Sequence, residues 1–257
     1  MNRYLVKIAY LGSDFYGSQA QPGFKTVEGD VMENLRFVTK LPREEIRLGF
    51  SSRTDRGVNA LGNAITFRSD IPAETLLKAL NAVSDSIFYK SICQVDDGFN
   101  VRYASSRSYS YVLPRKDLDV ELVRQCGELF VGKHDFLRFC RPEGKPTELT
   151  VNSVNVREFG DVLIVDFNAR YFLWNMIRRM VAAMHSVGCG NSSLEDVRRA
   201  LGGEPMTFGN ARPDALTLLD VAYDWLTFIP AKPEHFQDRR DDGIYSADLR
   251  RTFFESL

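Results

Sequence analysis

Segments with a two-residue apolar rhythm take turns along this chain with segments of helical rhythm, twice over and in a similar order. Strand-period and helix-period segments bury their apolar faces differently, so the pattern restricts the fold to sheets with interleaved helices. In the first round, residues 3–10 alternate as a strand, and residues 27–41 carry Val27, Val31, Leu35 and Val38 at helical spacing. Thr26 stands where a hydroxyl can cap that helix. Residues 46–50 and 63–67 read as strands, 74–83 as a helix and 87–95 as a strand. The second round begins near Ser105. It offers a strand at 108–114, a helix at 120–130, and strands at 151–159 and 161–167 joined by a Phe-Gly-Asp turn. Helices at 172–187 and 193–201 and a strand at 217–228 complete it, and no period is legible after Pro230. The expectation is an α+β fold of two ferredoxin-like (RRM-like) halves, with mostly antiparallel sheets packed around a central cleft. The halves are residues 1–104 and 105–230, followed by a tail, 231–257.

Several function classes fall away. Neither round contains the glycine pattern of a dinucleotide fold or a phosphate-binding loop. Cys93, Cys126, Cys140 and Cys189 are widely separated, and His134, His185 and His235 show no ligand spacing. A metal site is therefore not expected, and the chemistry falls to ordinary side chains. No run of eighteen apolar residues occurs, and the first residues enter a strand without a signal-peptide core. The expected location is the cytoplasm.

The net charge of −1 does not advertise a nucleic-acid binder, but its distribution is uneven. Arg102, Arg107, Arg115 and Lys116 lie in a stretch without acids, as do Arg170, Arg178 and Arg179, whereas Asp238, Asp241, Asp242 and Asp248 crowd the tail. Between two strands lies the polar run Ser51-Ser52-Arg53-Thr54-Asp55-Arg56-Gly57. Taken alone, it reads as a turn in which the Asp side chain bonds its own backbone. Arg178 likewise lies off the apolar stripe of Leu173, Met176, Ile177, Met180 and Met184, the usual place for a solvated residue.

The segment SRTDRGVNALGNAITF closely resembles the central motif of the tRNA pseudouridine synthase A family, in a form closer to its archaeal branch. AYLGSDFYGSQAQP, KTVEGDVMENL, FNVRYASSRSYSYVL, FLWNMIRRMV and RPDALTLLDVAY resemble further family segments in the same order, covering nearly all of residues 1–225. The resemblance implies isomerisation of uridine to pseudouridine in the anticodon stem-loop of tRNA, at positions 38 to 40, by a homodimer without metal or cofactor. It implies Asp55 as the catalytic carboxylate, which could attack C1′, add to C6 or remove the C2′ proton. A carboxylate that must stay ionised in a partly dry site calls for a cation, and Arg178 matches the family's arginine partner. Tyr109 matches a tyrosine that stacks on the flipped base. Arg53, Arg56, Arg102 and Arg107 are the expected RNA contacts.

Four positions depart from the common pattern: Ser18, Ala20, Arg56 and Asn59. They are expected to bear on RNA recognition. The cluster Tyr171, Phe172 and Trp174 reads as core and cleft wall. Two other classes remain: a non-catalytic RNA-binding protein of this fold, which needs the basic stretches but no convergent Asp, Tyr and Arg, and a nucleosidase or small-molecule isomerase, which needs no basic stretches.

Overall fold

The computed structural model describes residues 1–256. Its first round comprises β1 (Asn2–Tyr10), α1 (Val27–Thr39), α2 (Arg43–Ile46), β2 (Gly49–Phe50), β3 (Asn59–Ser69), α3 (Ala73–Val83) and β4 (Phe88–Val95). The second comprises β5 (Ser106–Pro114), α4 (Val120–Glu128), β6 (Gly132–Asp135), β7 (Glu148–Phe159), β8 (Val162–Ala169), α5 (Met176–Gly188), α6 (Leu194–Leu201) and β9 (Leu216–Ala222). The chain then returns through β10 (Ile229–Pro230) to end in α7 (Gln237–Glu255).

The fold is the expected α+β, mostly antiparallel architecture, and its strands form one ten-stranded sheet in the order β10-β4-β1-β3-β9-β5-β8-β7-β6, with β2 beside β3. All pairings are antiparallel except β3 with β9, where Asn59 meets Thr217 and Ala60 meets Leu218. That parallel seam joins the two rounds edge to edge. The backbones approach so closely there that a Cβ on Gly62 would stand 2.5 Å from the Leu219 carbonyl oxygen. Lys7 of β1 crosses the seam, pairing with Asp220 of β9 at 2.5 Å and lying over the Tyr223 and Phe228 rings. Burial lowers the Lys7 pKa against the pull of its Asp220 partner. Lys7 therefore does not mark a solvent face, and Tyr4 through Tyr10 are all buried despite the alternation in the sequence.

Thr26 caps α1 as expected, accepting from the Gly29 amide at 3.2 Å. Elsewhere the structure corrects the boundaries. Residues 46–50 are not one strand. Ile46 is buried from the end of the one-turn α2, Arg47 adopts φ 50°, and only Gly49 and Phe50 pair with β3. The helix expected at 172–187 begins at Met176, because Asn175 sits in the left-handed region at φ 62°. Residues 217–228 hold a strand only to Ala222. A turn closed by the Leu226 amide on the Tyr223 carbonyl follows, and β10 then pairs with β4 in the first round. β6 was not legible, nor was α7, whose Ile244, Tyr245, Leu249 and Phe253 are exposed.

On the second round, α4 and α5 cover the sheet face formed by Tyr109, Val154, Val165 and Phe167. A Cβ on Gly127 of α4 would touch Val154 of β7 and Met184 of α5, each at 3.1 Å. Arg107, Tyr109 and Tyr111 share that face through the two-residue period of β5. The N-terminal end of α5 is thereby brought to the seam, where the loop before β3 arrives from the other side. No helix among the described residues is long and apolar enough to cross a membrane.

Candidate active site

A cavity of about 1290 Å³ opens where the loop 51–58, the strand β5 and the segment leading into α5 converge. The loop is fastened from several directions. The Ser18 amide donates to the Thr54 carbonyl at 3.0 Å, and the Thr54 amide donates to the Ser18 hydroxyl at 2.8 Å. The Tyr10 and Thr54 hydroxyls meet at 2.8 Å, and the Asn63 amide group donates to the Ser52 carbonyl at 3.0 Å. The Val58 amide closes a turn on the Asp55 carbonyl, with Gly57 at φ 87°, a conformation that glycine adopts without steric cost. The expected Asp turn exists, but it is made by the Asp55 backbone. This leaves the side chain available.

The Asp55 carboxylate points to the other round. Its Oδ2 accepts from Nη1 of Arg178 at 3.0 Å, and its Oδ1 accepts from the Trp174 indole N–H at 2.9 Å. Each oxygen keeps a free lone pair, and the side chain is 32% exposed, so the carboxylate is oriented yet open to a reactant. Arg178 is itself held. Its Nε donates to the Ala211 carbonyl at 2.7 Å and its Nη1 to the Asn175 side chain at 3.3 Å. Such fixing removes the rotamer freedom that weakens exposed ion pairs.

Tyr109 lines the same cavity, its ring meeting Phe172 edge-on at 5.4 Å. Burial pushes its phenol up to about 12, so the hydroxyl stays protonated at neutral pH. Arg53, Arg56 and Arg102 are exposed around the rim, Arg56 with its guanidinium 4.1 Å from the centre of the Tyr16 ring. Among the described residues no group of three or more His, Cys, Asp or Glu side chains could hold a metal ion.

The family model of tRNA pseudouridine synthase matches residues 128–224. A tRNA pseudouridine synthase A of Pyrococcus horikoshii is 37% identical over 227 residues, 87% of this chain and 86% of that protein. The Methanobrevibacter smithii protein of the same name is 34% identical over 279 residues, covering 98% and 94%. This chain belongs to the tRNA pseudouridine synthase A family.

For a tRNA pseudouridine synthase A family member, the geometry brings Asp55, Arg178 and Tyr109 into one cavity from the two ends of the sequence. It places Arg107 differently from an RNA-contacting arginine. That side chain is 7% exposed, and burial lowers its pKa. Its guanidinium donates to the Ser52 and Ser51 hydroxyls, each at 3.0 Å, and to the carbonyls of Arg170 and Arg102. With most of its donors taken up by the protein, it fastens the Asp55 loop to β5. Two of the four unusual residues also prove to be fasteners. Ser18 binds Thr54, and Asn59 accepts from the Gly12 amide and donates to the Asp214 carbonyl, each at 2.9 Å.

Trp174 is the functional neighbour that sequence reasoning missed. Reading residues 172–187 as one helix leaves it on a wall, whereas the Asn175 kink turns its indole onto Asp55. The available signal was an asparagine, a residue tolerant of the left-handed region, directly before the helical period.

Proposed function

We propose that this protein isomerises uridine to pseudouridine in the anticodon arm of tRNA, with Asp55 as nucleophile, Arg178 as its ion-pair partner and Tyr109 as the stacking surface for the flipped base. The observation that carries the reading is the 3.0 Å pair between Asp55 and Arg178, made across the sheet seam inside a cavity that Tyr109 also lines. A protein that only binds RNA has no use for a carboxylate held open toward a basic rim.

The reaction breaks the N1–C1′ bond, turns the uracil and joins C5 to C1′; the proton lost from C5 is matched by one gained at N1, and the bond Asp55 makes to the nucleoside is broken again as the product forms. Atoms and electrons balance within the nucleotide, so the scheme calls for neither cofactor nor metal. Arg178 and Trp174 each hold one Asp55 oxygen, aiming the remaining lone pairs at the nucleoside. The protonated Tyr109 phenol offers an apolar face and a donor to an extruded base. Arg53, Arg56 and Arg102 contact phosphates at the rim, and Arg107 serves them by holding the loop.

In this reading residues 1–104 and 105–230 are two working halves that each contribute part of one site. β10 (Ile229–Pro230), at the end of the second half, carries the chain back to the first half, the tail, 231–257, follows it, and the enzyme works as a cytoplasmic homodimer. Incubation of the protein with an unmodified tRNA transcript, without added metal or cofactor, tests the function. Chemical mapping is expected to show pseudouridine in the anticodon arm, with the nucleoside mass unchanged. Released free uracil would make the protein a nucleosidase, and unaltered RNA bound tightly would make it a non-catalytic binder.

A further inference from the structure

Beside the main cavity lies a second, smaller one of about 280 Å³, walled by Cys140, Pro142 and Met206 and carrying Arg138, Arg141 and Arg179. No carboxylate lines it. None of these three forms an ion pair among the described residues, whereas Arg178, next to Arg179 on α5, pairs with Asp55. Asp135, nearby, takes both the Leu137 amide and the Thr147 hydroxyl on Oδ1 and forms no ion pair with the three arginines.

The three guanidiniums are poised differently. Arg138 spends Nε and Nη2 on the Gly203 carbonyl, which fixes it while leaving Nη1 free. Arg141 lies over Trp174, its guanidinium carbon 4.2 Å from the ring centre, with no side-chain acceptor of its own. Arg179 follows Arg178 on α5, and its Nε is buried without a partner. A buried donor left unpaired is costly, and like charges brought together are costly too. An anion with several acceptor oxygens relieves both, and the planar guanidinium fork matches a phosphate best.

We propose that Arg138, Arg141 and Arg179 form a phosphate subsite that takes a backbone phosphodiester of the RNA next to the target nucleotide. It rests on the RNA reading above. Continuity with the main cavity points to the occupant. Arg141 and Pro142 line both cavities, and Arg141 stacks on the same indole whose N–H holds Asp55. A phosphodiester seated there is connected to the carboxylate through two side chains, Arg141 and Trp174. Substrate binding would thus fix Trp174 and the strand around the extruded base together.

The experiment is tRNA binding as a function of salt for the native protein, Arg179→Gln and Arg179→Lys. Each lost phosphate contact lowers the slope of log affinity against log salt by about one. Arg179→Gln is expected to lose about one unit of slope and about tenfold in affinity at low salt, and Arg179→Lys to keep the slope. Should Arg179→Gln not fold by thermal melting, Arg141→Gln carries the same expectation. An unchanged slope in the folded variant, or a native protein that binds no RNA, overturns the subsite. Pseudouridine mapping on the native protein judges the reaction separately: a lost slope without pseudouridine keeps the subsite and removes the reaction, and pseudouridine with an unchanged slope does the reverse.

Discussion

Asp55→Asn is expected to lower single-turnover pseudouridine formation by at least about a thousandfold, since a group acting in bond making is not replaced by its neighbours. Affinity for tRNA should change by no more than a few-fold. Asparagine keeps the size of the side chain and an oxygen for either the Trp174 N–H or the Arg178 guanidinium, now at 2.9 and 3.0 Å. The rim arginines proposed to meet phosphate, Arg53, Arg56 and Arg102, are untouched. Filter binding and chemical mapping on the same transcript separate the two effects. Retained turnover would remove Asp55 from the chemistry, and a parallel collapse of binding would make it an RNA-positioning group.

Gly12→Ala is expected to show the largest loss of stability. Gly12 packs against the backbone of the Asp55 loop, where an added Cβ would lie 2.3 Å from the Gly57 carbonyl carbon and 2.4 Å from the Gly57 and Val58 oxygens. All three are main-chain atoms, so no rotamer change relieves the clash, and the loop or the segment after β1 must move. Overpacking of this kind costs about 3 kcal/mol. That corresponds to a fall in melting temperature of about 6–12 °C for a chain of this size. Movement of Gly57 and Val58 also displaces Asp55, so catalysis should fall further than stability alone explains. Gly98, around which a Cβ would meet nothing within 4 Å, is the control: Gly98→Ala should stay within about 0.5 kcal/mol. Calorimetry on both variants checks the contrast, and equal melting temperatures would contradict the packing assigned to Gly12.

What the sequence made legible was local. Helices α1 and α3 and strands β4, β5 and β7 announce themselves by period, because each buries a regular face, and β1 does so by its alternation although both of its faces are buried. The Asp55 loop announces itself by motif. What stayed hidden depends on single backbone conformations and on contacts between distant residues. Asn175 reads as part of a helix and Arg47 as part of a strand until their left-handed φ is known. The apolar residues of α7 stay exposed, so they meet no core that would impose a period. Arg107 and Arg102 lie in one basic stretch, yet one is buried under Ser51 and Ser52 and the other is open to solvent. That difference is written in the loop from the other half, fifty-odd residues away.

The pairing of a carboxylate from one half with a guanidinium from the other is the feature on which the account turns. Arg178→Met, assayed in a single turnover with enzyme and tRNA saturating, tests it most directly. The expected rate is at least about a hundredfold lower, of the order seen when one preorganised electrostatic group is removed, with a melting curve close to the native one. A native rate in the folded variant would contradict it, because the 3.0 Å contact would then be an ion pair without a part in the chemistry.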